Sequence, residues 1–247
     1  MKKRLFLLLI GTILFLTSFP LAAKMVVEVV HDQQMRGNYT VTNINEGFPP
    51  TDSTFQFENH VIEIEETLTE EEQYQDPWSN TIGIGDLAVK LNGQEIDNLK
   101  GYPIRVAEEG LNRYHGDVGY FMIKEKKSEK TQLMVVLKKT KELPKEKPNG
   151  DIVGMAPSET LTYALYTIEE DGQVKREQFN ISERNALQTE LLNSGTMAHH
   201  RLGYYTDAWE RYPSLVFPFI FPFGMLVLGM IFLVVYFRIR KATKSTE

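Results

Sequence analysis

Hydrophobic and polar positions divide the chain into three parts. Residues 215–237 are almost wholly apolar, and no charge falls between Arg211 and Arg238. A bilayer core of about 30 Å takes roughly 20 helical residues to cross. A surface helix of a globular domain would show a polar face, and this stretch has none. Tyr204, Tyr205, Trp209 and Tyr212 precede it and Tyr236 closes it, as amphipathic rings do at membrane interfaces. A transmembrane helix is therefore predicted over 215–237. Pro218 and Pro222 predict an irregular outer end, because an interior proline removes a helical hydrogen bond. Gly224 and Gly229 stand five apart, so no GxxxG dimer motif is formed.

The chain opens with a second apolar run. Lys2, Lys3 and Arg4 precede residues 5–16, and Pro20, Ala22 and Ala23 form a small-residue stretch. Residues 1–23 thus have the layout of a signal peptide cleaved after Ala23, the favoured expectation. The run is also long enough to remain as a signal-anchor helix. Both readings leave the amino end inside. The basic residues Arg238, Arg240, Lys241 and Lys244 hold the 238–247 tail in the cytoplasm. Residues 24–214 are then extracytoplasmic.

Between the two runs the pattern is mainly that of strands. MVVEVV, residues 25–30, is rich in β-branched residues and predicts a strand. Phe55 and Phe57 alternate in one phase, Ile62 and Ile64 in the other, so a bulge or tight turn is expected near Glu58, Asn59 and His60. Asn92-Gly93 between strand-like runs predicts a hairpin, since both residues accept positive φ. Residues 120–123 with 133–137, and 160–168 with 174–179, predict two more. The Ile82–Asp86 segment, IGIGD, reads as a turn entering a strand. One helix is expected over 183–193, capped by Ser182 and stopped at Gly195. The fold class expected is a mainly β, sandwich-like or barrel-like extracytoplasmic domain with one late α-helix, and a joint near 142–151 where Pro144, Pro148 and Asn149-Gly150 cluster.

Charge follows the same division. Residues 24–214 hold 20 Lys and Arg against 32 Asp and Glu, a net of −12, while both ends are basic. Such a domain repels nucleic acid and anionic headgroups, so neither is an expected ligand of its surface. The chain has no cysteine. An exported domain of this size without disulfides points to a bacterial envelope. The two Asn-x-Ser/Thr triplets, at Asn38 and Asn180, are about what chance produces.

Catalytic motifs are missing from the sequence: no nucleophile elbow, His-Glu-x-x-His or phosphate loop occurs. No catalytic, cofactor or metal residues are assigned. Candidate binding residues fall in three places. Glu70, Glu71 and Glu72 centre a segment, 58–76, with eight acids and no Lys or Arg; it would attract a cationic partner. Arg113, Tyr114, His115 and Asp117 crowd between glycines in a loop-like stretch. His199 and His200 form an adjacent pair that would make a metal-binding or pH-sensitive patch beside the membrane. The lysine-rich run 124–147 reads as a solvated surface. The function expected is a membrane-anchored, non-catalytic binding or scaffold protein of the cell envelope, with the bilayer and a membrane or envelope protein as partners. The alternatives are an envelope hydrolase or transferase whose site forms only in three dimensions, and a sensor or immunity-type protein meeting cationic ligands.

Overall fold

The computed structural model describes residues 2–44, 54–108 and 110–244. The last three residues of the basic tail lie outside them. The chain forms two compact units: Met35–Arg201, and a second made of Met1–Gln34 with Leu202–Glu247.

The first unit is mostly β. One antiparallel sheet has the order β1-β7-β8-β11-β12: β1 Tyr39–Asn43, β7 Val118–Glu125, β8 Thr131–Lys138, β11 Thr162–Ile168 and β12 Val174–Asn180. The other runs β2-β3-β4-β5-β6: β2 Thr54–Phe57, β3 His60–Gln75, β4 Thr81–Leu91, β5 Gln94–Ala107 and β6 Gly110–Asn112. A two-stranded ribbon, β9 Lys145–Glu146 with β10 Ile152–Val153, occupies the Pro-rich stretch. Ile62, Ile64, Leu87, Val89 and Tyr102 from one sheet and Tyr120, Leu133, Val135, Leu137 and Tyr166 from the other join in a single buried cluster. The strand period of two explains this, since every second residue of each strand faces the same way.

The expected hairpins are present. Glu58 turns at φ 53° between β2 and β3, where the alternation changes phase. Asn92 and Gly93 turn at φ 52° and 78° between β4 and β5, which matches the twist of antiparallel strands. The β7–β8 and β11–β12 pairs follow the same logic.

IGIGD is not a turn but the middle of β4. Its glycines serve a crowded pairing: a methyl at Gly85 would run into the Thr67 carbonyl and lie 2.6 Å from Ile104 Cδ1. Gly85→Ala is therefore expected to destabilise the protein by about 1–3 kcal/mol, read as a lower thermal midpoint by circular dichroism.

The second face of the β1-containing sheet is also covered. Strand β8 is buried on both faces, so Met134, Val136 and Lys138 point away from the inter-sheet cluster. Above that face lies α2, Ala186–Ser194, followed by Met197. Tyr163 donates its hydroxyl to the Met197 carbonyl at 2.7 Å, and Asn43 Nδ2 donates to the Ser194 carbonyl at 2.8 Å. The late helix starts later than expected. Asn180 caps a short 3-10 turn over Ile181–Glu183, and Asn185 caps α2 in a reciprocal pairing with Gln188. Asn185 wins over Ser182 because Gln188 three residues on returns the bond to the cap amide. Gly195 ends the helix as expected.

The second unit is helical. Helix α1, Lys2–Asn38, is 37 residues long, about 56 Å, so it exceeds any bilayer core. Residues 25–30 lie inside it and form no strand. Ser18, Ala22, Met25 and Glu28, spaced four, three and three, are buried on one face, and tertiary packing outweighs the β-propensity of the valines. Trp209 Nε1 donates to the Met25 carbonyl at 3.0 Å. The buried Glu28 carboxylate accepts the backbone N–H of Tyr205 at 2.9 Å and that of Thr206. The carboxy-terminal helical segment begins with a short turn, α3 Val216–Pro218, then a widened stretch, Phe219–Gly224, broken by extended backbone at Phe221, before regular α4, Met225–Lys244. Irregularity at the two prolines is as expected. Leu5–Asn38 and Val216–Arg240 are both long and apolar enough to cross a membrane. They pack antiparallel at two glycines. A Cβ on Gly11 would sit 3.1 Å from the Gly229 carbonyl oxygen, and one on Gly229 would sit 2.9 Å from the Phe15 amide nitrogen.

Candidate functional site

In the β-rich unit, a cavity of about 280 Å³ opens where the β3–β4 loop, the segment before β7, the segment after β8 and the segment after α2 meet. Trp78, Tyr114, His115, Pro144, Met155 and Met197 line its sides; the buried Asp117, Lys138 and Glu142, with His199 against Glu142, form a polar floor.

The floor follows from strand register. Val118 pairs with Leu137, so Asp117 stands across from Lys138 on the face that the alternation assigns to Met134 and Val136. Lys138 N donates to the Asp117 carbonyl at 2.7 Å. Lys138 Nζ lies 2.6 Å from Asp117 Oδ1 and 3.1 Å from Glu142 Oε2. Glu142 Oε1 accepts the Ala156 amide at 2.7 Å, and His199 Nε2 lies 3.1 Å from Oε1 and 3.2 Å from Oε2. Asp117 is 2% exposed and Glu142 6%, so both carboxylates depend on the lysine. Burial pushes Lys138 down, but the two carboxylates outweigh it and hold the ammonium above its ordinary range. Burial raises Glu142, yet Lys138, the Ala156 amide and His199 together bring it below its ordinary value. For Asp117 burial prevails over Lys138, and its carboxyl is raised.

The rim is held by Asp76. Its Oδ1 accepts the Trp78 amide at 2.9 Å and the Asn80 amide at 2.7 Å. Its Oδ2 accepts Asn80 Nδ2 at 2.7 Å and the Tyr114 hydroxyl at 3.0 Å. Burial raises Asp76, and the hydrogen bonds from Asn80, Tyr114 and Trp78 reverse this and lower it. Arg105 donates to Asn80 Oδ1 at 2.7 Å and secures the loop from behind. Trp78, 55% exposed, therefore stands at the mouth on a fixed loop, edge-on to Tyr114 with ring centres 6.5 Å apart. Gly116, at φ 84°, lets the Tyr114–Asp117 turn close against the segment after α2: a Cβ there would sit 2.5 Å from the Thr196 carbonyl.

The structure brings Tyr114, His115, Asp117 and His199 to this one cavity. Arg113 is turned away and pairs with Glu66, both side chains buried. His200 lies 3.4 Å from the Ser158 hydroxyl through Nδ1 and lines a separate, wider cleft of about 550 Å³ with Arg36, Tyr39, Lys126 and Arg201. Glu70, Glu71 and Glu72 are exposed in β3, in the bulge where its register with β4 shifts between Leu68 and Gln73. Six residues of strand separate Glu70 from Asp76, about 20 Å. Among the described residues no group of three or more His, Asp or Glu has the geometry to hold a metal ion.

Lys138, Glu142, Trp78 and Met155 are among the contributors that were not legible as site residues. Lys138 and Glu142 belong to the lysine-rich run, yet Lys138 continues the alternation of Met134 and Val136, which was the available signal. Trp78 follows Asp76-Pro77 and precedes Ser79-Asn80, a turn sequence in which Asp accepts amides two and four residues on. Nothing in the sequence singles out Met155.

The floor and rim impose a pH dependence. Glu142 and Asp76 are lowered on folding, so the stability they contribute is present above their ordinary values of 4.5 and 3.8 and is lost as pH falls through the lowered ones. Asp117 is raised and works in the opposite sense, contributing at low pH and losing that contribution as pH rises through its folded value. Asp76→Asn with Glu142→Gln is thus expected to flatten the fall in denaturant midpoint between about pH 5 and 3.

No protein-family model, curated protein or solved structure matches the chain.

Proposed function

We propose that this is a two-span, membrane-anchored binding protein of a cell envelope, non-catalytic, which displays a β-sandwich outside the membrane and engages a membrane or envelope protein through the Trp78 cavity. The observation that carries the binding role is Trp78 itself. A large aromatic ring 55% exposed at the mouth of a cavity, on a loop pinned by Asp76, is already placed for contact, and aromatic anchors of this kind dominate binding energies. The cavity, at about 280 Å³, is at the small end for ligand sites and suits a side chain or headgroup of a partner. The floor groups are bonded to one another and form a rigid platform.

The anchor includes the amino-terminal segment. Removal after Ala23 would strip Gly11, Ser18 and Ala22 from the helix pair and leave Gly229 facing nothing. Retention as a signal anchor keeps that interface. In the antiparallel pair the basic amino end and the basic tail lie on one side, and the positive-inside rule makes that side cytoplasmic. Intact-mass measurement of membrane-purified protein tests this: the expected mass retains residues 2–23, and a mass lacking them would return the segment to a signal peptide.

Crosslinking in the native membrane through a photoreactive residue at position 78 tests the binding role. A discrete envelope or membrane protein captured there, and lost in Asp76→Ala, is expected; labelling only of lipid and bulk protein would count against it. Changing Glu70, Glu71 and Glu72 to Gln should slow association with that partner at low salt while leaving thermal stability within about 0.5 kcal/mol. The His199–Glu142 contact favours a second reading, an acid–base hydrolase or transferase. It requires the captured ligand to be chemically altered by the wild type and not by Glu142→Gln; the binding role requires it to be recovered unchanged.

A further inference from the structure

We infer that the wide cleft beside α2 is a second binding site, distinct from the Trp78 cavity, and that it takes the phosphate group of an organic phosphate. The cleft measures about 550 Å³ and is formed by the end of α1, strand β1, the turn after β7 and the segment that closes α2. Its charge runs against that of the unit it belongs to. Residues 35–201 carry 18 Lys and Arg against 28 Asp and Glu. Yet Arg36, Lys126 and Arg201 converge here with His199 and His200. Among the described residues that line the cleft, Glu190 is the one carboxylate, and its Oε1 accepts the Ser194 hydroxyl at 3.4 Å.

The backbone explains why the cleft offers donors. The end of a helix ordinarily presents its last carbonyls, an acceptor surface that suits a cation. Here the last four carbonyls of α2 are all bonded. Leu191 accepts the Gly195 amide at 2.9 Å, Leu192 the Met197 amide at 2.9 Å, and Asn193 the Thr196 amide at 3.3 Å. Ser194 accepts Asn43 Nδ2 at 2.8 Å. At the end of α1, the Arg36 carbonyl accepts Lys126 Nζ at 2.5 Å and the Asn38 carbonyl accepts the Lys126 amide at 2.8 Å. Guanidinium, ammonium and hydroxyl groups then dominate the polar lining: Arg36, Arg201, Lys126, Thr40 and Thr196, all exposed.

A guanidinium has five N–H donors in a planar fork that matches phosphate oxygens in pairs, so Arg36 and Arg201 can hold an oxyanion while keeping other contacts. The cleft is larger than a bare phosphate, and Tyr39, Val41 and Leu192 give it apolar wall suited to the carbon part of an ester. Two sources share this chemistry, a phospholipid headgroup and a soluble phosphate ester. Met35 and Arg36 open the β-rich unit and Arg201 closes it. The aromatic residues that suit a membrane interface, Tyr204 to Tyr212, follow next in sequence, so the headgroup is the favoured source.

The test titrates the full chain, in a maltoside detergent that contains no phosphate, with glycerol phosphate, glycerol and choline by calorimetry. Saturable heat is expected with glycerol phosphate and none with the neutral or the cationic probe. Arg201→Gln should weaken glycerol phosphate about tenfold, the scale of one lost charge-assisted hydrogen bond, and leave the thermal midpoint unchanged because Arg201 is exposed. Arg36→Gln should weaken it to a similar extent; should that variant fail to fold, Arg201→Gln carries the test alone. Trp78→Ala should leave it unaltered, which separates failure of this site from failure of the Trp78 cavity. Native mass spectrometry of the chain offered phosphatidylglycerol and glycerol phosphate together identifies the source. A lipid adduct that is lost in Arg201→Gln assigns the headgroup, and a glycerol phosphate adduct that is lost there assigns a soluble ester. Glycerol or choline binding as tightly as glycerol phosphate would overturn the anion. Undiminished binding in Arg201→Gln would overturn the cleft as its place. Absence of both saturable heat and any adduct would overturn the site altogether.

Discussion

Lys138→Met is expected to destabilise the β-rich unit by about 3–5 kcal/mol, because it leaves two buried carboxylates without their counter-charge. Asp117 and Glu142 are nearly inaccessible to water, and Lys138 Nζ reaches both. Methionine is unbranched and only one heavy atom shorter than lysine, so the loss comes mainly from the charge. The pH profile identifies the mechanism. Without the ammonium Asp117 should be raised further on folding and Glu142 should rise from its lowered value, and a raised carboxyl contributes most at low pH. The deficit of the variant should therefore shrink as pH falls from about 7 to 4. Adding Asp117→Asn should recover part of the deficit at neutral pH, since one orphaned charge is removed. A uniform deficit at all pH values would mean that Lys138 acts through its methylenes alone. Denaturant unfolding of the full chain in detergent, followed by circular dichroism, measures each case.

Gly11→Leu is expected to separate the two long apolar helices, α1 and α4. A Cβ at this position would already lie 3.1 Å from the Gly229 carbonyl oxygen, from Leu233 Cγ and from Phe232 Cβ. A leucine side chain does not fit, and overpacking of this kind costs about 1–3 kcal/mol or more. In membranes, close backbone approach through small residues is a principal source of helix association. Trp209 reports on the pair, because its indole N–H donates to the Met25 carbonyl. In a Trp78→Phe background, Gly11→Leu should red-shift Trp209 emission and lower the thermal midpoint, and Gly229→Leu should do the same. The double variant should lose less than the sum, because the two residues meet each other. If residues 1–23 were removed from the mature protein, Gly11→Leu would be silent while Gly229→Leu need not be. The same substitution thus measures the interface and the retention of the segment.

The hairpins were legible because their turns carry chemistry that only a few residues supply: Asn92-Gly93 at positive φ, Glu58 where the alternation of phenylalanines and isoleucines changes phase. The apolar ends were legible as long helices because their apolar runs are nearly continuous. Residues 25–30 were not, since their β-branched side chains favour a strand locally and only packing on residues 205–209 keeps them helical. The IGIGD glycines were misplaced for a related reason. Their role is space beside Thr67 and Ile104, which no local pattern reveals. The site was half visible. Tyr114, His115, Asp117 and His199 carry chemistry in suggestive company, and they do meet. Lys138 and Glu142 were hidden among exposed lysines, and their burial depends on α2 covering a second sheet face. The glycine contact between helices spans more than two hundred residues of sequence, so a search for paired glycines within one helix passes over it.

The Trp78 cavity can meet an envelope partner only if the β-rich unit lies outside the membrane. The chain has no cysteine, so single substitutions report cleanly. Asn149→Cys, in the exposed loop between β9 and β10, and Thr243→Cys, in the basic tail, are treated on intact cells with a membrane-impermeant maleimide. Labelling of position 149 at once, and of position 243 only after lysis, is the expected result. Labelling of position 243 on intact cells, with position 149 protected, would contradict it and place the Trp78 cavity in the cytoplasm.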